Sequence, residues 1–286
     1  MASGTPEDAR LSLFYRLYPW VEDPYTPEGR SRYEAALRLF RELVRHRWLE
    51  ELSAKGELKV LDLCGGVGIG GVALAKALSE RGVKARLTVL DLREEALRVA
   101  ERFGRDELGE PPETRKADAR AAHLLGERFD AVLLYGLSTP HFDAFSMVQL
   151  LASTSSSLEP GGMLLVEEGD RFQSLVLQGR YQHVLYKGDE NGGVLSLQVG
   201  YDPLRGVVKR MWLNPFTGER VALELRYWDL AAVPALTWLF FEELDFVEYP
   251  GRRDAGMILA RRPRGRLKPE ELRLPGLLGK PQPGGR

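Results

Sequence analysis

The stretch Lys59-Val-Leu-Asp-Leu-Cys-Gly-Gly-Val-Gly-Ile-Gly-Gly71 decides the fold, because it runs from an apolar strand through an acid into a cluster of glycines. Val60, Leu61 and Leu63 read as a short buried parallel strand, and the alanines, leucines and lysine between Val72 and Leu78 favour a helix. The glycines therefore occupy a strand-to-helix turn. Such a turn brings backbone close to a ligand and leaves the first N–H groups of the helix directed into the crevice above a sheet. The pattern marks a cofactor site.

Two kinds of cofactor fit glycines in this arrangement. Gly66, Gly68 and Gly71 satisfy the GxGxxG spacing of dinucleotide sites. A nicotinamide site, however, carries its turn directly after an apolar strand, whereas here Asp62 stands inside the strand end, with two residues between it and Gly65. A carboxylate there repels a pyrophosphate and suits a ligand with ammonium and sulfonium charges. S-adenosylmethionine is such a ligand. Working outward, 87–91 is a second strand ending in Asp91, which can accept both hydroxyls of a ribose, a device shared with NAD sites. Asp118, in Lys116-Ala-Asp-Ala-Arg120, falls where a third strand should end and is placed to accept from an adenine amino group. Residues 129–135 make a fourth strand, and the turn at 158–162 leads into a fifth over 163–168.

VLDLCGGVG at 60–68, VLD ending at Asp91, ADA at 117–119, FDAVLLYG at 129–136 and LEPGG at 158–162 together resemble the class I S-adenosylmethionine-dependent methyltransferases. The resemblance runs over about 59–168, with a weaker tail to 262. It implies an α/β fold: a doubly wound, mostly parallel seven-stranded sheet closed by an antiparallel hairpin. It also implies that Asp62, Gly66 and Gly68 line the methionine part of the cofactor, that Asp91 holds the ribose, and that Asp118 with Ala119 flanks the adenine. Cys64, Gly65, Leu92 and Tyr135 adjoin these positions and share the expectation. Where the family has glycine this chain has Cys64, so the loop is expected to run slightly differently around a small buried thiol.

The rest of the chain divides around that core. Residues 1–54 form an N-terminal cap: an aromatic, irregular segment to about 26, broken by Pro19 and Pro24, then a long helix opened by Thr26-Pro27. Tyr33, Leu37, Phe40, Val44 and Trp48 recur at helical spacing and should pack on the sheet. Residues 55–168 are the cofactor-binding core. Residues 169–228 form an antiparallel insertion with strands at 194–201, 207–213 and 221–227, separated by turn-rich loops and placed to roof the pocket as a lid. Residues 229–262 supply a helix over 229–244 and a closing hairpin of 246–249 with 257–260. Residues 263–286, rich in proline, glycine and arginine, read as a mobile basic tail.

Composition narrows the partners. With 44% hydrophobic and 28% charged residues over 286 positions, the chain can bury a substantial core. A net charge of −1 argues against wholesale capture of nucleic acid. One cysteine excludes an internal disulfide and a cysteine-based metal cluster, and no metal site is expected. The first eight residues lack the basic and apolar regions of a secretion signal, and the apolar run 230–241 is short and contains Pro234, so the expectation is a cytoplasmic protein that does not span a membrane. The pattern carries no signature of an oligomeric state.

For chemistry, His141 in Tyr135-Gly-Leu-Ser-Thr-Pro-His141 is the first candidate for a general base, because it lies just past the fourth strand. Its bland alternative is a cap for a helix beginning near Phe142. Tyr15, Tyr18 and Tyr181 are candidates for substrate contact, with His183 behind them, against the plainer reading of Tyr15, Tyr18 and Trp20 as packing residues. No Asn-Pro-Pro-Tyr or Asp-Pro-Pro-Tyr follows the fourth strand, and Cys64 is misplaced for cytosine C5 chemistry. The leading expectation is methyl transfer to a small molecule. RNA or protein is the rival acceptor, with RNA held through Arg261, Arg262, Arg264, Arg266 and Lys268 of the basic tail. A nicotinamide-dependent reductase is a third reading.

Overall fold

The run ahead of the glycines is β1 (Glu57–Leu63), paired in parallel with β2 (Lys84–Asp91) on one side and β4 (Phe129–Leu134) on the other. It is covered on both faces, which is why it reads as a nearly continuous apolar run. The computed structural model describes residues 6–18, 20–189 and 192–279. Adding β3 (Glu113–Lys116), β5 (Leu158–Gly169), β10 (Phe241–Tyr249) and β11 (Arg252–Pro263) gives a seven-stranded sheet in the order β10-β11-β5-β4-β1-β2-β3. Only β11 runs antiparallel to its neighbours, pairing β10 and β5. The strand order reverses between β1 and β4, and ligands of open α/β sheets sit beyond the carboxyl ends at such a point.

Successive strand residues point to opposite faces, so the sheet carries two cores. Val60, Val89, Leu133 and Leu165 meet α2 (Pro27–Leu43), α3 (Arg47–Ser53), α4 (Ile69–Ser79) and α5 (Glu94–Leu108) on one face. Leu61, Leu63, Val132 and Leu164 meet α6 (Ala144–Ser157) and α7 (Ala232–Phe240) on the other. As expected, Thr26 caps α2, accepting from the Gly29 N–H at 3.0 Å, and Pro27 opens it. Tyr33, Leu37, Phe40, Val44 and Trp48 are all buried, although the helix stops at Leu43 and Trp48 belongs to α3.

A second sheet, β6-β7-β8-β9, is wholly antiparallel: β6 (Val184–Asp189), β7 (Gly192–Asp202), β8 (Val207–Leu213) and β9 (Arg220–Leu225). α1 (Pro6–Leu17) packs on its inner face, where Phe14, Val194, Trp212, Val221 and Leu223 form an apolar cluster separate from the two cores. Trp228 ties this unit to the main sheet. Its indole N–H donates to the carbonyls of Thr139 (3.1 Å) and Phe142 (3.2 Å), just beyond β4.

Several expectations need correction. The N-terminal segment is helical over Pro6–Leu17 and not irregular; Leu11, Phe14, Tyr15 and Tyr18 already lie at helical spacing. Pro19, one of the two expected breaks, lies outside the described residues. The insertion has four strands, since Val184–Asp189 adds an edge to the three expected. The helix expected over 229–244 is confined to Ala232–Phe240, because from Phe241 onward the backbone bonds to β11 in register with residues up to Pro263. The closing hairpin is correspondingly longer. The third strand ends at Lys116, and Asp118 caps the turn that follows, accepting from the Arg120 N–H. The basic tail is not free either. Arg261 and Arg262 are on β11 in ion pairs with Glu243, Arg261 also with Glu51, and Arg264 donates to the carbonyls of Trp238 and Phe241. Beyond it, Gln149 holds the Leu272 carbonyl at 2.8 Å; residues 280–286 lie outside the described residues. No described helix is long and apolar enough to cross a membrane.

Candidate active site

Asp62 is the pivot of the glycine turn. Its side chain is 1% exposed, and Oδ2 accepts from the Gly71 N–H at 2.8 Å. A Cβ on Gly65 or on Gly71 would lie 2.7 Å from that oxygen, so the two glycines are the room the carboxylate needs. Oδ1 has no partner among the described residues. Burial, with the Asp91 charge adding and the Gly71 N–H opposing, pushes the Asp62 carboxyl up to about 7. Gly65 N–H donates to the Leu90 carbonyl at 3.0 Å and fastens the turn to the end of β2. Cys64, where the family has glycine, adopts φ +53°, the left-handed region in which glycine is at ease. Its thiol is pushed well above its ordinary value by burial, so it stays protonated.

Asp91 closes the turn from the β2 side. One oxygen accepts from the Gly66 N–H at 2.9 Å, the other from the Arg93 N–H at 2.9 Å. The Arg93 guanidinium, 4% exposed, forms a two-pronged pair with Glu22 at 2.9 and 3.0 Å and lies 3.8 Å from the ring centre of Tyr15. Sequence reasoning missed Arg93 and Glu22. The acid that ends β2 pointed to the first, only two residues on; nothing local pointed to the second.

Three hollows meet here. The first, about 400 Å³, lies over the ends of β1 and β2 and is lined by Cys64, Asp91, Leu92, Asp118, Ala119 and His141; Tyr15 of α1 closes one side, and Leu274 and Leu278 close another. The second, about 430 Å³, lies between α1, the inner face of the second sheet and the loop after β4. It takes in Tyr15, Tyr18, Trp20, His141, Tyr181 and Trp212. A small third hollow over the glycine turn touches Asp62, Gly65, Gly66 and Tyr135. Gly68, the left-handed N-cap of α4, faces Ala100 and lines none of them. Tyr15 belongs to all three, and His141 to the first two.

Among the expected residues, Asp118 lines the first hollow with its carboxylate turned to the Arg120 guanidinium. His183 stacks edge-on against Tyr181 and lies outside the second hollow. His141 does not cap the following helix: Asp143 does, accepting from the Ser146 N–H at 2.7 Å. Burial, with Arg93 and Arg171 adding, lowers the His141 imidazole to about 4, so it is neutral at pH 7. Burial pushes the Tyr15 phenol up to about 12, Arg93 opposing. Behind the loop, Glu167 accepts from the Gly136 and Leu137 N–H groups at 2.8 and 3.1 Å and from the Tyr249 hydroxyl at 2.6 Å. Gly136 and Leu137 both have positive φ, so this buried acid over-determines a turn that strains a leucine. Glu167 was also missed, hidden within an apolar strand end.

Comparison with known proteins agrees with the geometry. Residues 60–162 match the family model described as a methyltransferase domain. Residues 60–162 thus carry a methyltransferase domain, consistent with the class I S-adenosylmethionine-dependent methyltransferases and with S-adenosyl-L-methionine as cofactor. No curated protein matches the sequence. Among solved structures the chain is similar to the PH0226 protein of Pyrococcus horikoshii OT3 (22% identity, TM-score 0.59, covering 87% of this chain and 98% of that one). It is similar to the CcbJ methyltransferase of Streptomyces caelestis (18%, 0.59, 91% and 99%). A third is the sugar N-methyltransferase KedS8 of Streptoalloteichus sp. ATCC 53650 (19%, 0.54, 92% and 95%).

Proposed function

We propose that the enzyme transfers the methyl group of S-adenosylmethionine to a small molecule held in the second hollow. The observation that carries the reading is the sharing of Tyr15 and His141 between the first two hollows, which makes one reaction chamber out of a cofactor cavity and an aromatic cavity. The residues fit the cofactor: Asp62 has an unpartnered buried oxygen for an ammonium group, the glycines leave no Cβ in the way, and Asp91, Leu92, Asp118 and Ala119 line the first hollow. Bound there, the cofactor supplies an electrophilic methyl on a sulfonium with a good leaving group.

What the protein adds is position and dryness. α1 and the second sheet cover the aromatic hollow, and well-oriented reactants can lower a barrier by about 7–11 kcal/mol through effective molarity alone. Neither shared residue is a strong base at neutral pH: the imidazole has lost its proton and binds another weakly, and the phenol keeps its own. His141 is therefore read as a neutral hydrogen-bonding partner that orients the acceptor. A small acceptor, a sugar, is also what KedS8, a sugar N-methyltransferase, methylates. The rival, RNA, is disfavoured because Arg261, Arg262 and Arg264 are already engaged.

Methyl-tritiated cofactor offered with small-molecule, RNA and protein fractions of a cell extract tests the reading. Label should enter the low-mass fraction. Transfer only to RNA or protein would overturn the acceptor class; binding of NADH without S-adenosylhomocysteine in calorimetry would overturn the cofactor site.

A further inference from the structure

Arg210, on β8, faces the second hollow from the inner side of its sheet and is 6% exposed. Its guanidinium meets neutral groups: the Ser196 hydroxyl at 3.0 Å, the Ser196 carbonyl at 3.2 Å, the Gln182 carbonyl at 2.9 Å, the Tyr181 hydroxyl at 3.5 Å and the Tyr227 phenol. No carboxylate pairs with it among the described residues. The other deeply buried arginine, Arg93, has Glu22 and Asp91 beside it. A buried cation without a counter-charge is costly.

The wall around Arg210 repeats the imbalance. Arg180 also lines the hollow, and among the described residues no aspartate or glutamate does. The remaining surface is largely aromatic, with Phe14, Tyr18, Trp20, Trp212 and Tyr227. An amine entering as an ammonium ion would find no counter-charge and two like charges. A flat molecule carrying a carboxylate would place its ring among the aromatic side chains and its charge against the guanidinium, the pairing arginine's planar fork favours.

We propose that the methyl acceptor is an aromatic carboxylate, recognised through Arg210 with Arg180 at the rim. This rests on the small-molecule reading above and sharpens it. It also separates this enzyme's acceptor from the sugar on which KedS8 acts.

Calorimetry on the full chain saturated with S-adenosylhomocysteine tests the proposal, using two matched triads: 4-hydroxyphenylacetate, its methyl ester and tyramine; indole-3-acetate, its methyl ester and tryptamine. At least one carboxylate should bind about tenfold or more tightly than its ester and its amine. Arg210→Gln should erase that preference while leaving S-adenosylhomocysteine affinity unchanged. Because Arg210 also ties β7 to β8, thermal unfolding checks the variant, and the exposed Arg180→Gln, which disturbs no packing, should weaken the preference by itself. Equal or tighter binding of esters or amines, no binding of either carboxylate, or a preference that survives both substitutions overturns it. Failure of S-adenosylhomocysteine to bind would instead sink the cofactor reading, since the triads can be titrated without it.

Discussion

Asp62 is the residue at which burial and chemistry are most tightly linked. Its folded value of about 7 lies above its ordinary 3.8, so the free protein gains stability that is complete below about 3.8 and lost as pH rises through about 7. An ammonium beside Oδ1 reverses that preference by favouring the carboxylate. Binding of S-adenosylhomocysteine near pH 6.5 should therefore release a sizeable fraction of a proton, measured by calorimetry in buffers of different ionisation enthalpy. The release should vanish by pH 9 and in Asp62→Asn; its persistence there would place the proton elsewhere. His141 titrates in the opposite sense, its folded value of about 4 lying below 6.5, so its contribution is intact above 6.5 and lost as pH falls toward 4. The pH profile of kcat/KM should accordingly show no step near 6.5 assignable to His141, and His141→Gln should leave its shape unchanged while lowering kcat. At this scale Asp62 and the glycines were legible because strand, turn and helix bring them together within a dozen residues, and Asp91 because it ends the next strand. Arg210 and Glu22 were not, since their meaning comes from groups such as Tyr181 and Arg93 that only the fold brings near.

At the scale of elements, the Glu22–Arg93 pair locks the segment between α1 and α2 over the glycine turn. Glu22→Gln removes one charge of a mostly buried pair while Asp91 still balances Arg93. It should cost about 1–3 kcal/mol and speed S-adenosylhomocysteine dissociation by roughly an order of magnitude, read by stopped-flow fluorescence. An unchanged rate would mean that this segment does not gate the cofactor. The parallel strands and the cap of α2 were readable because each carries its own signal, an apolar run or Thr-Pro. α1 was hidden by its aromatic residues, which serve a second sheet far along the chain, and β6 by its exposed apolar side chains Val184 and Tyr186. The limit of α7 is set by pairing: the apolar sequence continues past Phe240, but hydrogen bonds to β11 claim it.

The whole molecule holds two cores on one sheet and a third, smaller cluster joining α1 to β7, β8 and β9. Few apolar contacts cross between that cluster and the rest, and local opening follows such boundaries. Hydrogen exchange should show α1 and the second sheet opening as one unit, faster than β1, β4 and β5, and slowing together when S-adenosylhomocysteine is bound. Independent exchange of α1 and β8 would deny that they form one body. The sevenfold sheet followed from the order of the motifs, whereas the partnership of the first helix with the late strands spans about two hundred residues and no local pattern records it.

Tyr15 borders the nucleoside cavity, the glycine turn and the aromatic chamber alike. A single phenol common to three compartments makes a shared wall: any displacement of the helix bearing it would open the product's chamber and the spent nucleoside's together. Inhibition by either product should then report the same gate.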